Sequence, residues 1–203
     1  MLAAEHVVSY LCGTWNQTIC YSRDSHENPN VLWGWADAAW AGDTDTDQSH
    51  TGYILMMNGR PISWKSRRQG NVSLSTSEAE FVAASQTGHE AIYLRETLDD
   101  FGFSQTKATP LYENNLACVA MSENLVHRKF SRHIDSRKYH VRGLVLAGFL
   151  KIVPLCTHKM VADALTKSLP SPAFRRFLEF GQTAGCISPS HIRYTCREKM
   201  RPG

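Results

Sequence analysis

The chain has 203 residues, of which 42% are hydrophobic and 20% charged, and a formal net charge of +3. This is the balance of an ordinary soluble domain with short appendages, and the net charge is too small by itself to argue for nucleic acid. No window approaches a membrane span, and MLAAEHVVSYLCG lacks a basic start and a long apolar core, so a membrane protein and a secretory leader are both excluded from the expectation. An intracellular setting, cytoplasmic or nuclear, follows as the default.

The N-terminal residues 3–20 read as a short amphipathic helix, followed by a polar stretch with a turn at Glu27-Asn28-Pro29-Asn30. Val31 to Ala38 is rich in Trp and apolar residues and suits a buried strand. Residues 41–51 are Gly, Asp, Thr, Gln, Ser and His, a loop composition. Gly52 to Met57 predicts a second strand, Asn58-Gly59 a tight hairpin turn, and Arg60 to Ser66 a third strand. The run STSEAEFVAASQTGHEAIYLRETLDDFG predicts a long helix. Ser75 with Glu78, and Ser77 with Glu80, each fit a capping box. Phe81, Ala84, Gly88, Ala91, Leu94, Leu98 and Phe101 then share one face, and Gly102 ends the helix. Pro110 to Asn114 reads as a fourth strand, Leu116 to Ser122 and Ile134 to Ala147 as helices, and Phe149 to Leu155 as a fifth strand. A last core helix is expected to begin near Met160. Three hairpin-linked strands, then helices alternating with strands, predict an α/β (α+β) fold: a five-stranded mixed sheet with helices on both faces.

Six cysteines are scattered without a Cys-x-x-Cys pair. This argues for reduced, mostly packed thiols rather than zinc or a disulfide frame. Basic residues cluster at Lys65, Arg67 and Arg68 and at His127, Arg128, Lys129, Arg132 and His133. The tail adds Arg193, Arg197, Lys199 and Arg201. Such clusters are solvated faces unless phosphate meets them. Trp33, Trp35, Trp40 and Trp64 read as core, with base stacking as the alternative.

The stretch GWADAAWAGDTDTDQSHTGY holds four aspartates. A calcium loop starting at Asp43 would need Gly where Gln48 stands and Glu where Ile54 stands. Asp43, Asp45 and Asp47 therefore read as a solvated turn. Asp37 differs, because it sits in an apolar strand between Trp35 and Trp40. A carboxylate buried there must be paired, hydrogen-bonded or bound to metal.

Asp37 on a strand, Glu80 at a helix start, Tyr112-Glu113-Asn114-Asn115 at the end of a later strand and Asp163 at a helix start follow one another in order. With WADAAWAGD, HTGYILMMNGRPISWKSRRQ, LSTSEAEFVAAS, LYENN, RHIDSRKYHVR and VADALTK, this layout resembles the ribonuclease H domain of copia-type retrotransposon polyproteins. The resemblance runs from about Leu32 to Leu169. Residues 1–20 are similar to the end of the preceding reverse transcriptase, whose own catalytic acids this chain does not contain. The expected organisation is a reverse-transcriptase remnant over 1–30, a ribonuclease H-like domain over 31–170, and a helix with a basic tail over 171–203.

The resemblance implies cleavage of the RNA strand of RNA–DNA hybrids with two magnesium ions, in the cell or in the particle of an active element. It implies Asp37, Glu80 and Asp163 as catalytic acids and metal ligands. Glu78 rivals Glu80, but its pairing with Ser75 marks it as a cap. Where the family run carries a third aspartate, this chain has Asn114. Asparagine keeps the shape but cannot offset metal charge. Glu113 is one residue away, and strand alternation should point it away from Asp37. Losing one metal contact of several kcal/mol would slow the reaction roughly a thousandfold or more. The expectation is an intact scaffold with an impaired centre, the alternatives being a working enzyme that tolerates Asn114 and a non-catalytic nucleic-acid-binding module. Lys65, Arg67, Arg68 and Arg128 are the expected phosphate contacts, and His158, in the loop before Asp163, the candidate proton shuttle. His133, Asp135 and His140 match a family run without an assigned role.

Overall fold

The tryptophan-rich run becomes β1 (Trp33–Ala39), the central strand of a five-stranded sheet in the computed structural model of the protein. The structure describes residues 2–16, 18–19, 21, 30–42, 45–123 and 132–182. Beside β1 lie β2 (His50–Met57) and then β3 (Arg60–Arg68), both antiparallel. On its other side β4 (Thr109–Glu113) and β5 (Leu150–Pro154) run parallel, giving the order β3-β2-β1-β4-β5. Asn58 and Gly59 both have positive φ, 52° and 71°. That is the backbone a two-residue hairpin needs to follow the strand twist.

Among the described residues, three helices cover one face. α2 (Thr76–Asp100) packs on β1 and β2, and α3 (Leu116–Glu123) and α4 (Arg132–Leu146) pack beside it. Beneath them Ala36, Phe81, Ala84, Leu111, Cys118, Val141 and Ile152 form one buried cluster. The opposite face buries Trp33, Trp35, Ile54, Met56, Tyr112 and Val153 against Met160 and Ala162. Burying two indoles in contact, with ring centroids 4.7 Å apart, anchors β1 firmly at the sheet centre. α1 (Leu2–Thr14) precedes the sheet.

The predicted helix near Met160 is not one continuous helix. Thr157–Lys159 and Val161–Leu165 are short 3-10 helices, and the next helix, α5 (Ser171–Gln182), begins only after Pro170. The Asp163 carbonyl accepts from both the Thr166 and Lys167 N–H groups, which tightens the turn. The tryptophans also divide: Trp33 and Trp35 are core, but Trp40 and Trp64 are 49% and 53% exposed. Trp40 closes the end of β1 and donates to the Ser73 carbonyl. Trp64 lies on β3, which among the described residues is an edge strand with β2 as its one neighbour. Of the described cysteines, Cys118 is buried, whereas Cys12 is exposed and Cys156 lies between. No helix among the described residues is long and apolar enough to cross a membrane.

Candidate active site

Asp37 is fully buried near the C-terminal end of β1 and pairs in register with Gly52. A Cβ at Gly52 would lie 2.6 Å from Thr166 Cγ2 and 3.0 Å from the Ala162 carbonyl oxygen. The absence of a side chain there lets residues 162–167 lie flush on the sheet beside Asp37. Thr166 Oγ1 consequently donates to Asp37 Oδ2. Lys167 Nζ stands 3.3 Å from Asp37 Oδ2 and 2.6 Å from Asp163 Oδ1. Burial alone would lower the Lys167 ammonium, but Asp163 and Asp37 outweigh it and hold it above its ordinary value. Asp163, partly buried and beside Asp37, is raised from its ordinary value.

Glu80 arrives from the helical face. Ser75 is the N-cap of α2, accepting from the Glu78 N–H, and Glu78 reaches back to the Leu74 N–H. The cap thus uses Ser75 and Glu78, as their pairing predicts, and Glu80 is left to point at the sheet. It is buried, and its carboxyl is pushed up to about 10 by burial, then by Glu113, then by Asp37.

Glu113 corrects the reading from strand alternation. The alternation itself holds: Leu111 faces the α2 cluster and Tyr112 the opposite one. Glu113 therefore lies on the Leu111 face, but so does Glu80, and the acids straddle the end of the sheet rather than sharing one face. Glu113 is 1% exposed, accepts from the Asn115 N–H at 3.0 Å, and is pushed up to about 8, chiefly by burial and further by Asp37. The buried Oε2 atoms of Glu80 and Glu113 have no hydrogen-bond partner among the described residues. Asn114 lies just past the last residue of β4, partly buried, and Asn115 caps α3 by accepting from the Cys118 N–H.

The parts expected to surround this centre are less concentrated. His158 is exposed and shares with Asp163 a cavity of about 210 Å³ that also takes in Lys159 and Phe177. Lys65, Arg67 and Arg68 do not form one patch. Ser63 bonds Glu90 of α2, while Ser66 bonds the Leu165 carbonyl. Alternation then sends Lys65 and Arg67 to the helical face and Arg68, with Trp64, to the Asp37 side. Arg128 and the rest of its cluster up to residue 131, and the tail cations, lie outside the described residues, as do the side chains of Arg132, His133 and Asp135. His140 bonds Ser85 and stacks on His89 at 4.0 Å, joining α4 to α2. Thr166 and Lys167 were not foreseen as site residues. Asp163 and Lys167 stand four apart, a spacing that pairs charges on a helical turn, and that was the available signal.

Buried carboxylates whose oxygens lack partners are hard donors of the kind magnesium prefers, so the chemistry of the set fits a divalent ion. As they stand, no three Asp, Glu, His or Cys side chains among the described residues are grouped to ligate one ion. The space between Asp37 and Asp163 is bridged by Lys167 instead.

No protein-family model matches the chain. It is 36% identical over 172 residues to the retrovirus-related Pol polyprotein from transposon TNT 1-94 of Nicotiana tabacum, covering 85% of this chain and 13% of that protein. With the transposon RE1 polyprotein of Arabidopsis thaliana it shares 33% over 175 residues, covering 86% of this chain and 12% of the polyprotein. The chain thus spans about an eighth of the length of these relatives. Among solved structures, LC11-RNase H1, isolated from compost, matches with a TM-score of 0.53 at 13% identity, over 68% of this chain and 93% of the other. The same enzyme has been solved in complex with an RNA/DNA hybrid, and that structure matches with the same TM-score at 14% identity, over 66% of this chain and 93% of the other. The chain is a homologue of the Pol polyproteins of copia-type transposons, and its fold is that of ribonuclease H.

Proposed function

Starting from a ribonuclease H-like domain homologous to transposon Pol polyproteins, we propose that the protein binds RNA–DNA hybrids. It cleaves their RNA strand by a magnesium-dependent hydrolysis that Asn114 impairs. The observation that carries this reading is the burial of Asp37 at the end of the central strand, with Glu80 and Asp163 brought to it from opposite faces of the sheet. Such a convergence of acids costs stability, because burial and the neighbouring Asp37 raise both Glu80 and Asp163. A fold keeps it where a cation is to be held.

Asp37, Glu80 and Asp163 are the residues that would hold the metal, with Asn114 able to offer only a neutral carbonyl oxygen. When bound, two magnesium ions would generate the attacking hydroxide and stabilise the leaving oxygen. The chain's own contribution is positioning. β1 fixes Asp37, the Ser75 cap sets the angle at which Glu80 arrives, and the turn at Met160–Thr166 presents Asp163. His158, which shares a cavity with Asp163, would move a proton to the departing oxygen. Arg68 and Trp64 lie toward the Asp37 side of the edge strand, where a backbone phosphate and an adjacent base would be met. Backbone contacts of this kind favour duplex shape over base sequence.

Glu113 supports a second reading, in which the enzyme works at a useful rate. It is buried beside Glu80 and Asp37 with one oxygen unpartnered, so it supplies the carboxylate that Asn114 lacks. Cleavage of an end-labelled hybrid with magnesium, using Asp37→Asn as control, tests both. Activity lost in Glu113→Gln favours the second reading, and activity gained in Asn114→Asp the first. Hybrid binding without cleavage in every form would leave a non-catalytic binding module.

A further inference from the structure

We propose that Lys167 is an internal counter-cation of the acid centre, holding it together without metal and competing with a divalent ion for Asp37 and Asp163. The competition rests on the metal-dependent reading above; the metal-free role does not.

Three observations place it there. Lys167 Nζ contacts both carboxylates, at 3.3 Å to Asp37 and 2.6 Å to Asp163. The Asp37 side chain is 0% exposed and that of Asp163 17%, while the Lys167 side chain is 40% exposed. The ammonium therefore reaches inward from a solvent-facing stem and can swing out without disturbing the core. Its backbone is held independently, since the Lys167 N–H bonds the Asp163 carbonyl and neighbouring Thr166 bonds Asp37.

An exposed ion pair contributes little to stability. This one is different because its anionic partner is buried, and a buried carboxylate left without a partner is costly. A single positive charge between two acids also occupies the place a dication would take. Its ammonium can donate to both carboxylates but carries half the charge. A divalent ion binding there must displace it.

The experiment uses the full chain and two readouts. In EDTA, Lys167→Gln should melt below the parent, and the loss should shrink in an Asp163→Asn background because the two residues form one interaction. Thr166→Val, which removes a neutral contact to Asp37, controls for local packing and should not show that coupling. Calorimetric titration with magnesium, and with manganese as a second probe, should show Lys167→Gln binding about tenfold tighter or more, the ratio that about 1.4 kcal/mol of removed competition produces. Lys167→Arg, which keeps the charge, should stay near the parent in EDTA. No melting loss in EDTA, or metal binding unchanged or weakened in Lys167→Gln, overturns the proposal. If the EDTA loss is seen but neither protein binds metal, the metal reading falls, and the competition with it. If metal binds normally and the EDTA loss is absent, only the counter-cation falls.

Discussion

Glu113→Gln is expected to stabilise the metal-free protein, and to do so increasingly as pH rises. The Glu113 carboxyl is pushed up to about 8 from an ordinary 4.5. The folded state therefore keeps its proton where the unfolded chain has lost it. Stability on this account is full below pH 4.5 and falls as pH climbs toward 8, by about 1.4 kcal/mol per unit. At pH 7 the cost is roughly 3 kcal/mol, from about two and a half units of that window. Glutamine cannot ionise and avoids it. Its carbonyl keeps the bond from the Asn115 N–H. Its amide leaves a buried donor unpaired, where the neutral carboxyl already leaves an O–H unpaired, so the new penalty is at most about 1 kcal/mol. The net gain at pH 7 is about 2–3 kcal/mol, or roughly 5–10 °C in melting temperature for a chain of this size. At pH 4.5 it should vanish. Urea and thermal melts of both proteins in EDTA, from pH 4.5 to 8.5, measure the difference directly. Parallel stability curves, or a variant less stable at pH 8 than the parent, would refute the burial of Glu113 among like charges.

Other outcomes are expected from the same geometry. Asn114→Asp should raise magnesium-dependent hybrid cleavage by about a thousandfold if Asn114 is the lesion. A repaired protein that folds but neither cleaves nor gains stability from magnesium would place the damage elsewhere. Gly52→Ala should cost about 1–3 kcal/mol, because the new methyl drives against Thr166 and the Ala162 carbonyl. Hydrogen exchange should show residues 162–167 loosened first, and an unchanged melting temperature would contradict that packing. Hybrid affinity should fall steeply with salt, and Arg68→Ala should lower the slope of log K against log salt by about one. An unaltered slope removes Arg68 from the contact surface.

The β2–β3 hairpin and the long helix were legible because their signals are local. Asn58-Gly59 requires positive φ, and its turn sets the β2–β3 hairpin. Ser75 and Glu78 mark the start of α2, and Gly102, with φ of 81°, marks its end. Glu113 was misread for a different reason. Alternation within one strand says which face a side chain takes, but not which elements wait there. Glu80 waits on the α2 face, so pointing away from Asp37's face brought Glu113 toward the acids. Trp40 and Trp64 were placed in the core by composition, but one ends a strand and the other sits on an edge, where burial runs out. Lys167 lay four residues past Asp163 in plain view. What sequence spacing could not supply was Gly52, a distant position that lets the segment holding Lys167 lie close to Asp37.

The Ser75–Glu78 cap has a consequence for how this chain tolerates insertions and deletions. A helix turns about 100° per residue, so Glu80 meets the sheet only at a fixed count from where the helix begins. The cap resets that count. Residues added or lost in the exposed stretch at 70–72 leave Glu80 in phase, because the helix still starts at Ser75. One residue gained or lost between Thr76 and Ala79 would swing the carboxylate away from Asp37 while leaving the helix itself intact. Length variation should therefore be harmless on one side of Ser75 and ruinous within four residues on the other.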